Sequence, residues 1–220
     1  MPIALPASVP DALASLARRL LRRPQARAAP PAPPARPPKA RWQPPPDDGR
    51  VRLNLGCGDK LLPGYINIDA APSRKGRAPD VVADLRALAF GPGVADEILA
   101  VHVIEHFHPW EAEDLVRHWR DLLKPGGRLV LECPNLLAAA RALLEEPSRA
   151  ARAQGKDGQL AMWPLYGDPG WRDPLMCHRW GYTPETLADL LARCGLRHVR
   201  QEPAVFKQRE PRDMRVAGEK

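Results

Sequence analysis

Two glycines spaced by one residue follow a short apolar strand, and they constrain the fold of this chain more than any other feature. The run is Val51-Arg52-Leu53-Asn54-Leu55-Gly56-Cys57-Gly58, and a second apolar strand ends in Asn67-Ile68-Asp69. Because glycine lacks a Cβ, the backbone can bend sharply here and a ligand can approach it closely. An acid at the end of the neighbouring strand can accept hydrogen bonds from two ribose hydroxyls. The pair indicates a nucleoside site at the carboxyl edge of a parallel sheet.

The length of 220 residues allows one domain of ordinary size plus a tail. Four cysteines show no paired spacing, which is typical of reduced thiols in a cytosolic protein. No apolar run approaches the roughly 18 to 20 residues of a membrane span, and the first residues lack the pattern of a signal peptide. We therefore expect a cytoplasmic location. The cysteines are Cys57, Cys133, Cys177 and Cys194.

The positive charge is concentrated in a tail, residues 1–49. Seven arginines and one lysine against three aspartates give this tail +5 of the net charge of +7, which leaves +2 for residues 50–220. A nearly neutral domain is not expected to hold a dedicated nucleic-acid site. Residues 28–49 are rich in Pro, Ala and Arg, which predicts an extended, disordered linker.

Apolar residues before this linker recur at helical spacing and predict a short amphipathic helix. Such a helix can touch an anionic membrane surface weakly, or bind a partner. The alternative is a mostly disordered arm, because isolated helices this short are barely stable. The residues concerned are Val9, Leu13, Leu16, Ala17 and Leu20.

From residue 50 to residue 220 strand and helix patterns alternate, which predicts an α/β domain with a parallel sheet and helices on both faces. Strands are predicted at 51–55, 65–69, 80–83, 97–103, 127–133, 197–202 and 213–219. Helices are predicted at 110–123, 135–146 and 184–194. Segment 148–182 has no clear period but is rich in aromatic residues, so we interpret it as a lid over a pocket.

A dinucleotide-binding dehydrogenase is one alternative for the glycine turn. Its G-x-G-x-x-G pattern needs a third glycine and an acid about 20 residues further on. Leu61 occupies the third glycine position, and Asp69 comes too early, with no helix-length segment before it. These departures weigh against a nicotinamide cofactor.

A zinc peptidase is a second alternative, because His102-Val103-Ile104-Glu105-His106 matches H-x-x-E-H. That pattern places both imidazoles on one face of a helix. Here it follows the apolar run Glu97 to Val101, which predicts a buried strand. His102 is then expected at the end of the strand and His106 in the next loop, so no metal is expected.

Five motifs in order resemble those of the class I S-adenosylmethionine-dependent methyltransferases, specifically the small members grouped with the type 11 methyltransferase domains. The resemblance covers about residues 50–220. The motifs are Leu53-Asn54-Leu55-Gly56-Cys57-Gly58, Tyr65-Ile66-Asn67-Ile68-Asp69, Val81-Val82-Ala83-Asp84-Leu85, Val103-Ile104-Glu105-His106-Phe107 and Leu122-Leu123-Lys124-Pro125-Gly126-Gly127-Arg128-Leu129.

This resemblance implies a Rossmann-like, doubly wound, mostly parallel seven-stranded sheet with an antiparallel C-terminal strand. It also implies S-adenosylmethionine as cofactor and methyl transfer to oxygen or nitrogen of a small-molecule or saccharide acceptor. The implied cofactor-binding residues are Asn54, Gly56, Cys57, Gly58, Asp69, Asp84, Leu85 and His102. The candidate bases are His106 and His178, with His108 a further histidine of this kind, and the candidate acceptor-binding residues are Glu105, Trp180 and Tyr182.

Two departures from the family pattern stand at the glycine turn. Asn54 stands where many members have an acid, and Lys60 where they have a third glycine. The connection from Gly58 to Tyr65 is also shorter than the dozen residues that a parallel crossover normally takes. These departures at the glycine turn motivate a second hypothesis. In it, the chain is a non-catalytic binding module that its basic tail recruits to a membrane or nucleic acid.

Overall fold

A computed structural model of the protein describes residues 47–206 and 212–220. The chain divides into two units, Met1–Pro38 and Lys39–Lys220, and every described residue belongs to the second. The helix predicted near residues 9–20 and most of the predicted linker 28–49 lie outside the described residues.

Seven strands form one sheet and confirm the predicted fold class. The strands are β1 (Arg52–Leu55), β2 (Ile66–Asp69), β3 (Val81–Val82), β4 (Ala95–Val101), β5 (Leu123–Pro134), β6 (Arg197–Glu202) and β7 (Asp213–Glu219). Their spatial order is β3-β2-β1-β4-β5-β7-β6. The first five pair in parallel, and β7 is antiparallel to both of its neighbours. The antiparallel strand is therefore the C-terminal one, as the resemblance implied.

The described part of the chain contains five α-helices. They are α1 (Pro109–Leu122), α2 (Leu136–Glu145), α3 (Pro147–Ala150), α4 (Met162–Tyr166) and α5 (Pro184–Arg193). The three long helices agree with the predicted ones to within one or two residues. Thr183 and Asn135 accept backbone hydrogen bonds at the starts of α5 and α2, which stabilises both ends. No helix within residues 47–206 and 212–220 is long and apolar enough to cross a membrane.

The strand predicted at 127–133 begins earlier, at Leu123, directly after α1. Ala95 pairs with Leu123 while Glu97 pairs with Arg128, so residues 124–127 bulge out of the ladder. Gly126 has a φ of +75°, which glycine adopts without strain. The Pro-Gly-Gly sequence therefore shapes a bulge inside the strand, where the pattern predicted a stop between helix and strand.

The two faces of the sheet are covered differently. One face packs against α1 and α5 in a large apolar cluster that includes Leu53, Leu55, Trp119 and Leu187. The described connections from β1 to β4 contain no helix, so the expected helices on both faces are absent from this part of the sheet. The reason is the length of the chain, because the ten residues 56–65 cannot supply a crossover helix. A small cluster, Leu62, Leu99, Val130 and Ala217, closes the second face, with Tyr65, Val101 and Phe206 against it.

Candidate active site

The glycine turn lies at the carboxyl end of β1, in contact with the segment that follows β4. Gly56 and Gly58 have φ values of +63° and +57°, a conformation that disfavours other residues. A Cβ added at Gly56 would lie 2.5 Å from Cγ2 of Val103. The backbone N–H of Cys57 donates to the carbonyl of Ile68 at 3.0 Å, which joins the turn to β2. The turn is thus held between the ends of β2 and β4. Burial raises the pKa of the Cys57 thiol to about 11, so this group stays neutral near pH 7.

Replacing Gly56 by alanine is expected to lower the free energy of unfolding by about 2 to 3 kcal/mol, from left-handed strain together with overpacking against Val103. Gly76→Ala is the matched control, because Gly76 also has a positive φ but no atom lies within 4 Å of its added Cβ. Urea unfolding measures both. The double variant Gly56→Ala with Val103→Ala is expected to recover the steric part, and equal losses in the two single variants would contradict the steric argument.

Asp69 ends β2 beside this turn and is almost fully buried. One carboxylate oxygen accepts from the N–H of Gly58 at 2.8 Å, and the other accepts from the N–H of Ala71 at 2.8 Å. The guanidinium of Arg74 lies 3.6 Å from the second oxygen. Because an ionised carboxylate offers about four lone-pair sites, two hydrogen bonds leave capacity for two ribose hydroxyls. The carboxylate therefore has both the location and the acceptor capacity that the sequence predicted.

The side-chain amide of Asn54 makes its hydrogen bonds within the protein. Its amide N–H₂ donates to the carbonyl of Lys60 at 3.0 Å and to Oδ1 of Asn67 at 2.9 Å, and Asn67 in turn donates to Asp80 at 2.9 Å. These buried amides join the helix-free connection 56–65 to β1 and β2. A carboxylate at position 54 would face two acceptors without a proton to donate, which explains why asparagine stands there.

Asp84 and Leu85 follow β3. The Asp84 carboxylate is half exposed and pairs with Arg86 at 2.8 Å, and that hydrogen bond lowers the pKa of Asp84. Leu85 is buried, and its carbonyl accepts a hydrogen bond from Nε1 of Trp119 at 2.9 Å. This bond fixes the backbone after β3 against helix α1. Of these two predicted cofactor-binding residues, Leu85 is thus anchored to the core and Asp84 faces solvent.

His102 follows β4 directly and has a φ of +55°, which is unusual for a residue other than glycine. Its Nδ1 lies 3.3 Å from Oε1 of Glu105, and its Nε2 lies 3.2 Å from Oδ1 of Asp213. Glu105 is 2% exposed. Burial alone would raise the pKa of Glu105, but the adjacent His102 lowers it to about 2. The residue is therefore a carboxylate inside a ring of imidazoles.

Glu105 and His106 belong to a 3-10 turn, Ile104–His106, and not to an α-helix. As the sequence predicted, the two histidines of the H-x-x-E-H pattern therefore do not lie on one face of a helix. His106 instead meets His178 edge to face, with ring centroids 4.9 Å apart. Burial lowers the pKa of His178, which favours its neutral form. His108 lies outside this group and stacks on Trp110 at 4.3 Å. The structure thus brings together both residues that the sequence proposed as bases.

Trp180 and Tyr182 lie on the strand-like end of the predicted lid. The backbone N–H groups of Arg179 and Trp180 donate to the carbonyl of Glu105 at 2.7 and 3.2 Å. The Trp180 side chain is half exposed, whereas Tyr182 is buried and its hydroxyl has no hydrogen-bond partner within the described part of the chain. Burial raises the pKa of Tyr182. Both residues therefore lie beside Glu105. The side chain of Trp180 is accessible to solvent and that of Tyr182 is enclosed.

Segment 148–182 consists of short helical turns. At one end its backbone binds Glu105, as described above. Further along, Trp171 lies under the cations of Arg74 and Lys75, at 5.9 and 4.8 Å from its ring centroid, and Asp173 lies 3.7 Å from Arg74. Arg74 in turn contacts Asp69. The segment thus spans from the backbone carbonyl of Glu105 to the loop after β2.

Three residues of this edge were not predicted from the sequence, namely Asp213, Arg74 and Asp173. Asp213 comes from the antiparallel strand β7, far along the chain from His102. Arg74 lies in a loop without periodic pattern. A charged residue in a loop is ordinarily solvated, so no signal in one sequence distinguishes these three from surface residues.

Comparison with known proteins bears on the family and the fold of the chain. The sequence model of a family described as "Methyltransferase domain" matches residues 19–201, beginning within the predicted tail. A solved S-adenosylmethionine-dependent methyltransferase from Archaeoglobus fulgidus is 18% identical, with a TM-score of 0.52 over 78% of this chain and 86% of that one. Another, from Mesorhizobium loti, is 17% identical with a TM-score of 0.48, over 78% and 91% of the two chains. No curated protein matches the chain. The first of these likenesses shows a shared fold, and the family match confirms the predicted enzyme class.

Proposed function

The chain belongs to the methyltransferase domain family, and on that premise we propose that it methylates an oxygen or nitrogen atom of a small-molecule or saccharide acceptor. Its methyl donor is S-adenosylmethionine, as in the class I methyltransferases. The observation that carries the proposal is Asp69, a buried carboxylate against the N–H of Gly58 at the edge where Glu105, His106 and His178 also lie. Donor and acceptor groups are thereby proposed to share one edge of the sheet.

The ribose hydroxyls of the donor are proposed to bind Asp69, and its methionine part to lie against Gly56, Cys57 and Gly58. Backbone can approach a ligand closely at glycines. Leu85 and Asp84 are proposed to border the adenine, and His102 to border the donor at the end of β4. Asn54 contributes through the turn it holds, because its amide is hydrogen bonded within the protein.

Methyl transfer from a sulfonium is an in-line displacement, so the protein mainly has to align the acceptor with the methyl and exclude water. When the acceptor is a hydroxyl or a protonated amine, a proton must leave. His106 and His178 are proposed to take it, since neutral imidazole is a base near neutral pH. The lid 148–182, with Trp180 and Tyr182, is proposed to cover a small acceptor, since a sugar or planar ring packs well on aromatic faces.

Incubation with labelled S-adenosylmethionine tests this proposal. Fractions of small molecules and saccharides are screened for label transfer with the full chain, and the same screen with Asp69→Ala serves as the control. We expect labelled product in low-molecular-weight or saccharide fractions with the wild-type chain and none with Asp69→Ala. Label found only in protein or nucleic acid would contradict the proposed acceptor class, and absence of donor binding would contradict the proposed function.

The N-terminal tail is proposed to make weak peripheral contact with anionic membranes, on the basis of its +5 charge. Deleting residues 1–49 is expected to abolish sedimentation with anionic vesicles while leaving S-adenosylmethionine affinity intact. Undiminished vesicle binding by the shortened chain would contradict this role. The cytoplasm is the proposed compartment, since Cys57, Cys133, Cys177 and Cys194 are free thiols.

A further inference from the structure

Glu105, His106 and His178 form a cluster with the composition of a metal site. Each offers one ligand atom, and these atoms all lie within 4.8 Å of one another. Nε2 of His178 is 3.9 Å from Oε1 of Glu105. Ligands of a tetrahedral zinc ion, each about 2.0 to 2.1 Å from it, lie roughly 3.4 Å apart. To bind such an ion, the ligand atoms of the cluster would have to approach one another by up to about 1.4 Å.

The second nitrogen of each imidazole is already bound in the manner of a metal ligand. Nδ1 of His106 lies 3.1 Å from the carbonyl of Cys177, and Nδ1 of His178 lies 2.9 Å from the carbonyl of Pro164. A carbonyl only accepts, so Nδ1 carries the proton in both rings and Nε2 keeps its lone pair. Metal-binding histidines usually donate their other N–H to a carbonyl or carboxylate in this way.

Glu105 supplies an independent observation. It is 2% exposed, yet neither carboxylate oxygen makes an aligned hydrogen bond within the described residues. Its Oε1 contacts Nδ1 of His102 at 3.3 Å without good alignment, and a buried carboxylate held in this way is further stabilised by a cation. His102 lies on one side of it, backed by Asp213, and the backbone N–H groups of Arg179 and Trp180 hold the carbonyl of the same residue. The carboxylate is thereby oriented by the protein while its charge faces the two histidines.

From this geometry we infer that Glu105, His106 and His178 bind a divalent transition-metal ion of the zinc type. Two histidines and one glutamate are the ligand set of catalytic zinc sites, which keep an open position for substrate or water. The set differs from the H-x-x-E-H pattern, because His178 from the lid replaces His102 as a ligand. The expectation of no metal concerned two imidazoles on one helix face, whereas here one ligand comes from segment 148–182.

The ion also deepens the proposed function, and its catalytic role rests on that proposal. With the ion bound, His106 and His178 act as its ligands and no longer as the bases that take the proton of the acceptor. A hydroxyl of the acceptor fills the open position, and coordination to the ion lowers the pKa of that hydroxyl. Its proton leaves to solvent water. A lone pair of the oxygen then forms the bond to the methyl carbon, the C–S bond breaks, and its electron pair stays on sulfur as neutral S-adenosylhomocysteine. The acceptor class thus narrows to hydroxyl compounds, sugars among them.

Titration with Zn²⁺ alone tests the site. Full-length chain without a histidine tag is freed of metal by a chelator, and Zn²⁺ binding is followed by calorimetry, with Co²⁺ absorption as a second probe of coordination. We expect one ion per chain, and a loss of affinity of about 100-fold or more in His178→Ala and Glu105→Gln. His198→Asn is the control, because His198 is exposed, lies outside the cluster and has a positive φ that asparagine tolerates.

S-adenosylmethionine binding, measured in the same variants, reports on folding and on the donor site. Retained donor binding with lost Zn²⁺ binding supports the metal site. Absence of Zn²⁺ binding in the wild-type chain, or equal binding in His178→Ala, overturns it. A chain that binds Zn²⁺ through these residues but no S-adenosylmethionine would overturn the proposed function and leave the metal site standing.

Discussion

Replacing Asp69 by alanine is expected to weaken S-adenosylmethionine binding about 100-fold or more. The carboxylate is proposed to accept hydrogen bonds from both ribose hydroxyls, and each bond to a charged group contributes about 1.5 to 3 kcal/mol. The same change removes the acceptor for the N–H of Gly58, which lies 2.8 Å from Oδ2. Calorimetric titration of the full chain with S-adenosylmethionine measures the loss.

Two further variants separate donor binding from folding. Asp69→Asn keeps one acceptor oxygen and the shape of the side chain, so it is expected to fall between wild type and alanine. Asp114→Asn changes an exposed aspartate on α1 that makes no contact with this edge of the sheet, and it is expected to bind like wild type. Wild-type affinity in Asp69→Ala would refute the role of this carboxylate.

Replacing Trp119 by alanine is expected to cost about 3 to 5 kcal/mol of the free energy of unfolding, the usual cost of truncating a fully buried large aromatic. Trp119 has no exposed surface and packs in the large cluster beneath the sheet. Its Nε1 also donates to the carbonyl of Leu85, so the change releases the backbone after β3. Urea denaturation measures the effect.

Trp119→Phe provides the matched comparison. Phenylalanine keeps most of the ring but leaves the Leu85 carbonyl without its donor, which is expected to cost about 1 to 2 kcal/mol from that bond. A loss in Trp119→Ala no larger than in Trp119→Phe would show that packing at this position contributes little.

The regular elements of this fold were predictable because their patterns are local. Leu115, Val116, Trp119 and Leu122 recur at helical spacing, so α1 could be placed to within a residue. The glycine turn and Asp69 lie close in sequence, and two parallel strands bring their carboxyl ends to one edge. Fold class and cofactor class therefore followed from short segments in the correct order.

The remaining features depend on contacts that are distant in sequence. The bulge at 124–127 arises from pairing with β4, which a Pro-Gly-Gly sequence alone does not indicate. His102 meets Asp213 only because the antiparallel strand β7 begins beside the end of β5, one strand away from the end of β4. The meeting of His106 with His178 requires segment 148–182 to fold back, and the turns of three to five residues in that segment carry no periodic pattern. The candidate bases were therefore predictable individually but not as a cluster.

A crystal structure of the full chain with S-adenosylhomocysteine tests the central claim most directly. We expect the ribose hydroxyls within hydrogen-bond distance of Asp69, the amino-acid part against Gly56 to Gly58, and the sulfur facing Glu105, His106 and His178. A nucleoside bound elsewhere on the chain, or a ribose with no contact to Asp69, would contradict it.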